Sequence, residues 1–234
     1  KSIGNVIYPQ EVIEKYGADI LRLWVSSTDY KADIRISQDI LKQLSENYRK
    51  IRNTFRYLIG NLYDFNPETD SVAYENMEEI DRWLLVRLEQ VATKVTQSFD
   101  DYDFHQMFHT VHNFCSIDLS AVYLDIIKDR TYASSADSAL RRSAQTAMYE
   151  TTQVLLCLVA PVLSFTADEI WDYMPAKENL ESVHLADWPQ VNPRYRDEVL
   201  AEKWEKLLEF RGEVTKALEI ARQKKEIGNY TKNI

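Results

Sequence analysis

One stretch constrains the fold of this 234-residue chain most: residues 37–65, which read SQDILKQLSENYRKIRNTFRYLIGNLYDF. Apolar side chains recur along it at spacings of three and four residues, which predicts one long amphipathic helix with a buried side. Ser37 can cap the N-terminus of this helix, and Asp39 lies in its first turn, where the helix dipole favours an anion. The apolar positions are Leu44, Tyr48, Ile51, Phe55, Leu58 and Leu62.

The other side of the same predicted helix carries a row of cations. At about 100° per residue, four of its five members fall roughly 80–160° from the apolar positions, and Lys50 supports them. Exposed helix faces are usually charged, so the row alone fits a solvated surface about as well as a phosphate-binding one. We call this row the cationic face; it comprises Lys42, Arg49, Lys50, Arg52 and Arg56.

The rest of the chain repeats the helical periodicity. It predicts a helix over about 77–99, a second over 104–126 with Ile126 on its buried side, and a third over 140–165 that Pro161 kinks and whose buried side includes Phe165. A charged helix follows over about 197–226, anchored by Trp204, Leu207, Val214 and Leu218. Only 5 glycines and 6 prolines interrupt these patterns. The predicted fold class is therefore all-α (mainly), built as an antiparallel helix bundle.

A small module precedes the bundle. Residues 9–17 and 18–27 predict two short helices, and the alternation in DIRIS, residues 33–37, allows one short strand. We predict three parts: a module over 1–36, a helix bundle over 37–190, and a charged helix with its tail over 191–234.

Composition narrows the function classes. A net charge of −9 argues against a protein that coats nucleic acid indiscriminately, although a local cationic patch remains compatible with it. Two cysteines without a CxxC pair favour a reducing cytoplasm and exclude a thiol zinc site within these residues. The longest apolar run, residues 154–163, is too short to span a bilayer, so we expect no membrane partner.

The motifs of common catalytic sites are absent from the sequence, which contains no GxSxG, HExxH, P-loop or GxGxxG. The sharpest metal candidate is His105, His109 and His112, whose spacing places three imidazoles on one helix face. No carboxylate lies at ligand spacing on that face, so we expect no metal there and keep a metalloenzyme as an alternative. Asp168 and Glu169 are adjacent on a helix and diverge by about 100°, which excludes an acid–base pair.

A second basic group, Lys128, Arg130, Arg141 and Arg142, brackets the connection between the second and third of these helices. Aromatic side chains near the basic positions can stack on unpaired bases, although aromatics at helical spacing are more often core residues. These aromatic residues are Tyr48, Tyr57, Tyr63 and Tyr132.

Long motifs carry a resemblance to a known family. Residues 1–37 resemble the segment that follows the catalytic domain of class I aminoacyl-tRNA synthetases, with S-x-G-N-V-x-x-P and then Y-G-A-D-x-L-R. The stretches WVSSTDYKADIRIS and YRKIRNTFRYLIGNLYDF resemble the bacterial isoleucine branch of that family. HNFCSIDLSAVYLDIIKDRTY, LAPVLSFTADEIW and SVHLADWP are similar to its helical anticodon-binding domain, in the same order.

The resemblance implies a fragment of an isoleucine–tRNA ligase that binds tRNA(Ile) and catalyses nothing by itself. Lys1 and Ser2 match the end of the K-M-S-K-S signature, which holds ATP phosphates in the family, but the nucleotide-binding fold is missing. The full-length enzyme would use ATP with magnesium, act as a monomer in the cytoplasm, and carry zinc in a further C-terminal region. After Gly228 the chain reads NYTKNI, where the family usually has S-L-E-A.

The same resemblance implies a role for the basic residues. Arg49, Arg52 and Arg56 are then the principal tRNA contacts, with Lys42 and Lys50 supporting them. Three alternatives stay open: the corresponding domain of a valine, leucine or methionine tRNA ligase, a helical protein–protein scaffold, and the metalloenzyme. The scaffold is favoured if acidic side chains or another helix cover the cationic face. No DNA partner is expected. Weaker tRNA contacts are Arg35, Arg130, Arg141 and Arg142.

Overall fold

The computed structural model describes residues 6–175, 180–190 and 192–228. The chain divides into two compact units, Lys1–Tyr195 and Arg196–Ile234. All regular structure in the described ranges is helical, which confirms the predicted all-α fold. None of the described helices combines the length and the apolar character that crossing a membrane requires. The division into parts at 1–36, 37–190 and 191–234 stays a prediction.

Two short helices open the first unit, α1 (Pro9–Tyr16) and α2 (Ala18–Ser27). Gly17 separates them with φ at +91°, a backbone conformation that a residue with a Cβ rarely adopts. The short strand allowed at residues 33–37 does not form, because a strand needs a paired neighbour and the described residues offer none. The Arg35 carbonyl there accepts a hydrogen bond from Nε1 of Trp24 at 3.3 Å instead.

The long amphipathic helix is α3 (Gln38–Gly60). Its N-terminus is capped as predicted, since Oγ of Ser37 accepts a hydrogen bond from the backbone N–H of Ile40 at 3.2 Å. The apolar side is confirmed by burial, with Tyr48 only half-buried because its hydroxyl reaches a polar partner on another helix. The fully buried positions include Leu41, Ile51, Phe55 and Leu58.

Further helices pack around α3 to form the bundle. A short helix α4 (Pro67–Asp70) and a 3₁₀ turn at Tyr74–Asn76 lead into α5 (Glu79–Asp100). The next long helical segment is composite: α6 (Phe104–Asn113), a π-helix (Phe114–Tyr123) and α7 (Leu124–Ala133) follow one another directly. The first unit is completed by α8 (Ala139–Val159), α9 (Ser164–Trp171) and 3₁₀ turns at Val183–Leu185 and Pro193–Tyr195.

The π-helix changes which side chains the segment buries. Each of its turns closes a hydrogen bond over five residues rather than four, so later positions are rotated relative to an unbroken α-helix. Ile126, predicted on the buried side, is 47% exposed, whereas Leu124 and Ile127 are buried. Thr54 of α3 lies against this segment, with Oγ1 3.2 Å from Oγ of Ser120. The prediction for Ile126 was therefore wrong.

The helix predicted over 140–165 is two helices. α8 ends at Val159, because Pro161 has no N–H with which to continue it, and α9 begins at Ser164. Arg22 of α2 donates to the carbonyls of Pro161 at 2.7 Å and Val162 at 2.9 Å. Phe165, predicted on the buried side, is 68% exposed because it follows the break.

One buried carboxylate ties three parts of the bundle together. Asp81 of α5 is fully buried and accepts hydrogen bonds from the Tyr123 hydroxyl at 2.8 Å and from Arg130 at 2.6 Å. The hydroxyl of Ser143 on α8 donates to its second oxygen. Burial still raises the pKa of Asp81, while Arg130 and the three hydrogen bonds oppose that shift.

The second unit contains α10 (Glu198–Gln223), capped by the side chain of Asp197. The predicted apolar anchors of this helix are not deeply buried: Leu207 is 46% exposed, and Val214 and Leu218 are 42% exposed. Within residues 196–228 there is no second helix against which they could be covered.

Candidate nucleic-acid interface

Four members of the cationic face are exposed, and three of these have no acidic partner among the described residues. Lys42, Lys50 and Arg56 lie on the solvent side of α3, and none forms an ion pair within the described part of the chain. Lys50 lies near His112 of α6, and its charge contributes to lowering the pKa of that imidazole, after burial. An anionic ligand would meet these three side chains without first displacing a carboxylate.

The two other members have acidic partners. Arg49 pairs with Glu46 of its own helix at 2.9 Å. Arg52 forms a bidentate pair with Glu169 of α9, with Nη–Oε distances of 2.7 and 2.9 Å. The hydrogen bond to Glu169, followed by one to Tyr48, raises the pKa of Arg52 further, and the same interaction lowers the pKa of Glu169. The cationic face is thus neutralised at two positions and open at three.

A groove runs between α3 and the segment formed by the π-helix and α7. It consists of two adjoining hollows of about 360 and 370 Å³ that share Asn53, Tyr57 and Tyr132 as lining residues. Arg56 borders one hollow, and Lys128, which pairs with exposed Asp125 at 3.2 Å, borders the other. The cationic face therefore adjoins, at Arg56, a recess of polar and aromatic character.

Two tyrosines form the wall of the groove. The rings of Tyr57 and Tyr132 meet edge to face, with centroids 6.4 Å apart and planes at 86°, and Tyr132 is 70% exposed. The Tyr57 hydroxyl is buried without a hydrogen bond of standard geometry. Burial, then the nearby Tyr132 hydroxyl, raises the pKa of Tyr57 to about 12, so this group stays protonated and able to donate.

The groove adds residues that sequence analysis missed. Asn53 is exposed on α3 between the cations, where its amide offers both a donor and an acceptor. Its position three residues before Arg56 and four before Tyr57 was the available signal, since such residues share a helix face. Ser120 and Leu124 line the groove because the π-helix changes which side of this segment faces α3. The apolar periodicity of the sequence did not predict the π-helix.

Two known families match parts of this chain. Residues 81–233, more than half of the chain, match the family described as anticodon-binding domain of tRNA ligase. This chain belongs to that family of anticodon-binding domains. Residues 1–37 also match the family of class I tRNA synthetases (I, L, M and V).

Several isoleucine–tRNA ligases contain a segment similar to this anticodon-binding domain, which confirms the resemblance. The chain is 58% identical over 231 residues to the isoleucine–tRNA ligase of Caldicellulosiruptor bescii, and 55% identical to those of Caldanaerobacter subterraneus subsp. tengcongensis and Syntrophotalea carbinolica. Each match covers 98% of this chain and 25% of the relative. The chain thus spans about a quarter of the length of the curated relatives it matches.

A solved structure shares the fold of this anticodon-binding domain. It is LeuRS from Agrobacterium radiobacter, crystallised in a ternary complex with tRNA and LeuAMS. The TM-score is 0.60 with 18% sequence identity, and the match covers 84% of this chain and 22% of the other. At that identity the likeness concerns the helical architecture alone.

The weaker predicted contacts of the anticodon-binding domain have different surroundings. Arg141 is buried and pairs with Asp64 at 2.9 Å, while Arg142 reaches Asp70 at 3.3 Å. Arg130 pairs with Asp81, so these three arginines hold loops and helices of the bundle together. Arg35 is exposed in the connection before α3. The contact role of all four stays a prediction, and Lys1 and Ser2 lie outside the described residues.

The three histidines do not form a metal site within residues 6–175, 180–190 and 192–228, where no group of three candidate ligands is placed to hold an ion. His105 and His109 lie with their Nε2 atoms 3.0 Å apart, beside a hollow of about 430 Å³ between α5 and α6. Burial lowers the pKa of His109 and of His112, and the neighbouring histidines lower that of His109 further.

Proposed function

We propose that this chain is the tRNA-binding part of an isoleucine–tRNA ligase, and that it holds tRNA(Ile) on the cationic face and in the groove beside it. One observation carries the assignment to this surface. Lys42, Lys50 and Arg56 have no ion pair in the described ranges, and Arg56 borders a recess whose rim is the exposed Tyr132. Membership in the anticodon-binding family supports RNA as the anionic ligand.

The surface offers RNA two kinds of interaction, one with phosphates and one with bases. Lysine and arginine side chains bind phosphates and fix the position of the RNA without reading its sequence. An unstacked base of the loop would lie on the ring of Tyr132, as single-stranded RNA bases do on aromatic side chains. The exposed amide of Asn53 would then meet the polar edge of that base.

The whole enzyme is part of the same proposal. It would activate isoleucine with ATP and magnesium and transfer it to tRNA(Ile), with Lys1 and Ser2 at the end of its ATP-binding loop. We place it in the cytoplasm as a monomer with no DNA partner, and any zinc in a region beyond this chain. The match to isoleucine enzymes favours this amino acid over valine, leucine or methionine. This chain spans about a quarter of such enzymes, and we expect it to be inactive by itself.

A charge reversal tests the proposed surface. The double variant Lys50→Glu and Arg56→Glu should weaken binding of a tRNA(Ile) transcript by at least about tenfold, because two charge-assisted hydrogen bonds to phosphate can no longer form. Affinity is measured by fluorescence anisotropy, with circular dichroism as the check on folding.

The matched control is Lys94→Glu, an exposed lysine of α5 in the wall of the histidine hollow. It should retain binding within about twofold, because Lys94 belongs neither to the cationic face nor to the lining of the groove, and its charge is screened at physiological salt. Loss of binding in the control but not in the double variant would place the RNA elsewhere on the molecule.

A further inference from the structure

A chain of four hydrogen-bonded side chains joins the cationic face to the N-terminal module. Arg52 of α3 donates to the Tyr48 hydroxyl at 3.2 Å, and that hydroxyl lies 2.8 Å from Oγ1 of Thr166 on α9. Oγ1 of Thr166 is in turn 2.6 Å from Oδ2 of Asp19 on α2. Helices α2 and α3 are linked in this way to α9, whose Thr166 is 118 residues from Tyr48 and 147 from Asp19.

All hydrogen bonds in this series donate in the same direction, from Arg52 toward Asp19. A carboxylate only accepts hydrogen bonds, so the single proton of the Thr166 hydroxyl goes to Asp19. Thr166 must then accept from the hydroxyl of Tyr48. Because the only proton of Tyr48 is committed to Thr166, its oxygen is free to accept from Arg52, and only a donor can occupy that place.

The far end of the chain is fixed by burial. Asp19 is 6% exposed and also accepts from the backbone N–H groups of Phe165, at 3.3 Å, and Thr166, at 2.8 Å. These N–H groups belong to the first turn of α9, where the helix dipole favours a carboxylate. The buried end is therefore rigid, while Arg52 at the other end keeps 40% of its side chain exposed.

We propose that Tyr48 and Thr166 are positioning residues for RNA binding: with Asp19 as anchor, they hold the guanidinium of Arg52 on the exposed face of α3, where it meets a phosphate. This proposal rests on the proposed function. Glu169, one turn after Thr166 on α9, keeps the other donors of Arg52 aligned in the free protein. An arriving phosphate competes with Glu169, not with Tyr48, so the guanidinium stays in place during the exchange.

The salt dependence of binding tests this positioning. Binding of a tRNA(Ile) transcript to the full chain is measured over a salt series, where each bound phosphate contributes about 0.7–0.9 to the slope of log affinity against log salt. Arg52→Gln should reduce the slope by the value of one phosphate, and Tyr48→Phe should reduce it equally while keeping its ring in the core. The combined variant should show no smaller slope than Arg52→Gln alone.

Two further variants separate positioning from packing. Thr166→Val, which removes the hydroxyl at equal size, should behave as Tyr48→Phe, whereas Thr166→Ser should keep the wild-type slope. Tyr173→Phe removes an exposed hydroxyl that takes no part in this series of hydrogen bonds, and it should leave the slope unchanged.

Three outcomes overturn the proposal. A wild-type slope in both Tyr48→Phe and Thr166→Val, together with a reduced slope in Arg52→Gln, shows that the chain does not position the arginine. A wild-type slope in Arg52→Gln, together with weakened binding on charge reversal at Lys50 and Arg56, rejects Arg52 as a phosphate ligand and leaves the proposed function standing. Absence of tRNA binding by the wild-type chain rejects both together.

Discussion

Single arginines of this domain have very different surroundings, although each is one cation in the sequence. Arg56 is exposed beside the groove, Arg52 is shared between Glu169 and Tyr48, and Arg130 lies against the fully buried Asp81. Helical spacing predicts which of them share a face, because that follows from local geometry. It cannot supply the acidic partners, since Glu169 is 117 residues from Arg52 in the sequence.

The difference between an exposed arginine and one that pairs with a buried carboxylate can be measured at Arg130. Arg130→Gln should lower the free energy of unfolding by about 3–5 kcal/mol, because it leaves the buried carboxylate of Asp81 without its cation. Urea denaturation measures this decrease. Arg194→Gln is the control: its pair with Glu75 is more than 60% exposed on both sides, so its free energy of unfolding should fall by less than about 1 kcal/mol. Similar decreases in both variants would contradict a structural role specific to Arg130.

Among the elements, the long helices were predictable and their junctions were not. Periodicity predicts α3 and α5 because a stripe of apolar residues must face the core over many turns. It fails at the π-helix and at the break after α8, where hydrogen bonding of the backbone changes within one turn. The groove depends on the first of these, since the π-helix sets which side of α7 faces α3, with Tyr132 at its end.

The exposed ring of Tyr132, at the end of α7, can be tested as a stacking platform. Tyr132→Ala should weaken binding of the tRNA(Ile) transcript by roughly 5- to 160-fold, because a stacked base is worth about 1–3 kcal/mol. Tyr132→Phe keeps the ring and should bind within about twofold of wild type. Titration of both variants by anisotropy checks the prediction. Equal binding by Tyr132→Ala and wild type would show that no RNA base stacks on Tyr132.

The molecule as a whole carries a net charge of −9, so it repels RNA except where cations are concentrated. With about four phosphates bound, at Lys42, Lys50, Arg52 and Arg56, raising salt from about 50 to about 200 mM should lower tRNA affinity roughly 50- to 150-fold. An anticodon-altered tRNA(Ile) should show the same salt dependence and weaker binding at both concentrations, because only the interactions with bases differ. Equal affinity of the two tRNAs would show that the surface binds only the RNA backbone and does not read anticodon bases.

The attachment of α2 to the bundle has a consequence for how the chain folds. Arg22 and Asp19 meet partners 139 to 147 residues further along the sequence, so this docking closes one of the longest loops in the molecule. Interactions of high sequence separation form slowly, because the entropy of loop closure is given up before the new interaction stabilises the chain. The helices of residues 38–171 are therefore expected to associate first. Helices α1 and α2 are then expected to join late, completing the series of hydrogen bonds to Arg52 as one of the final steps of folding.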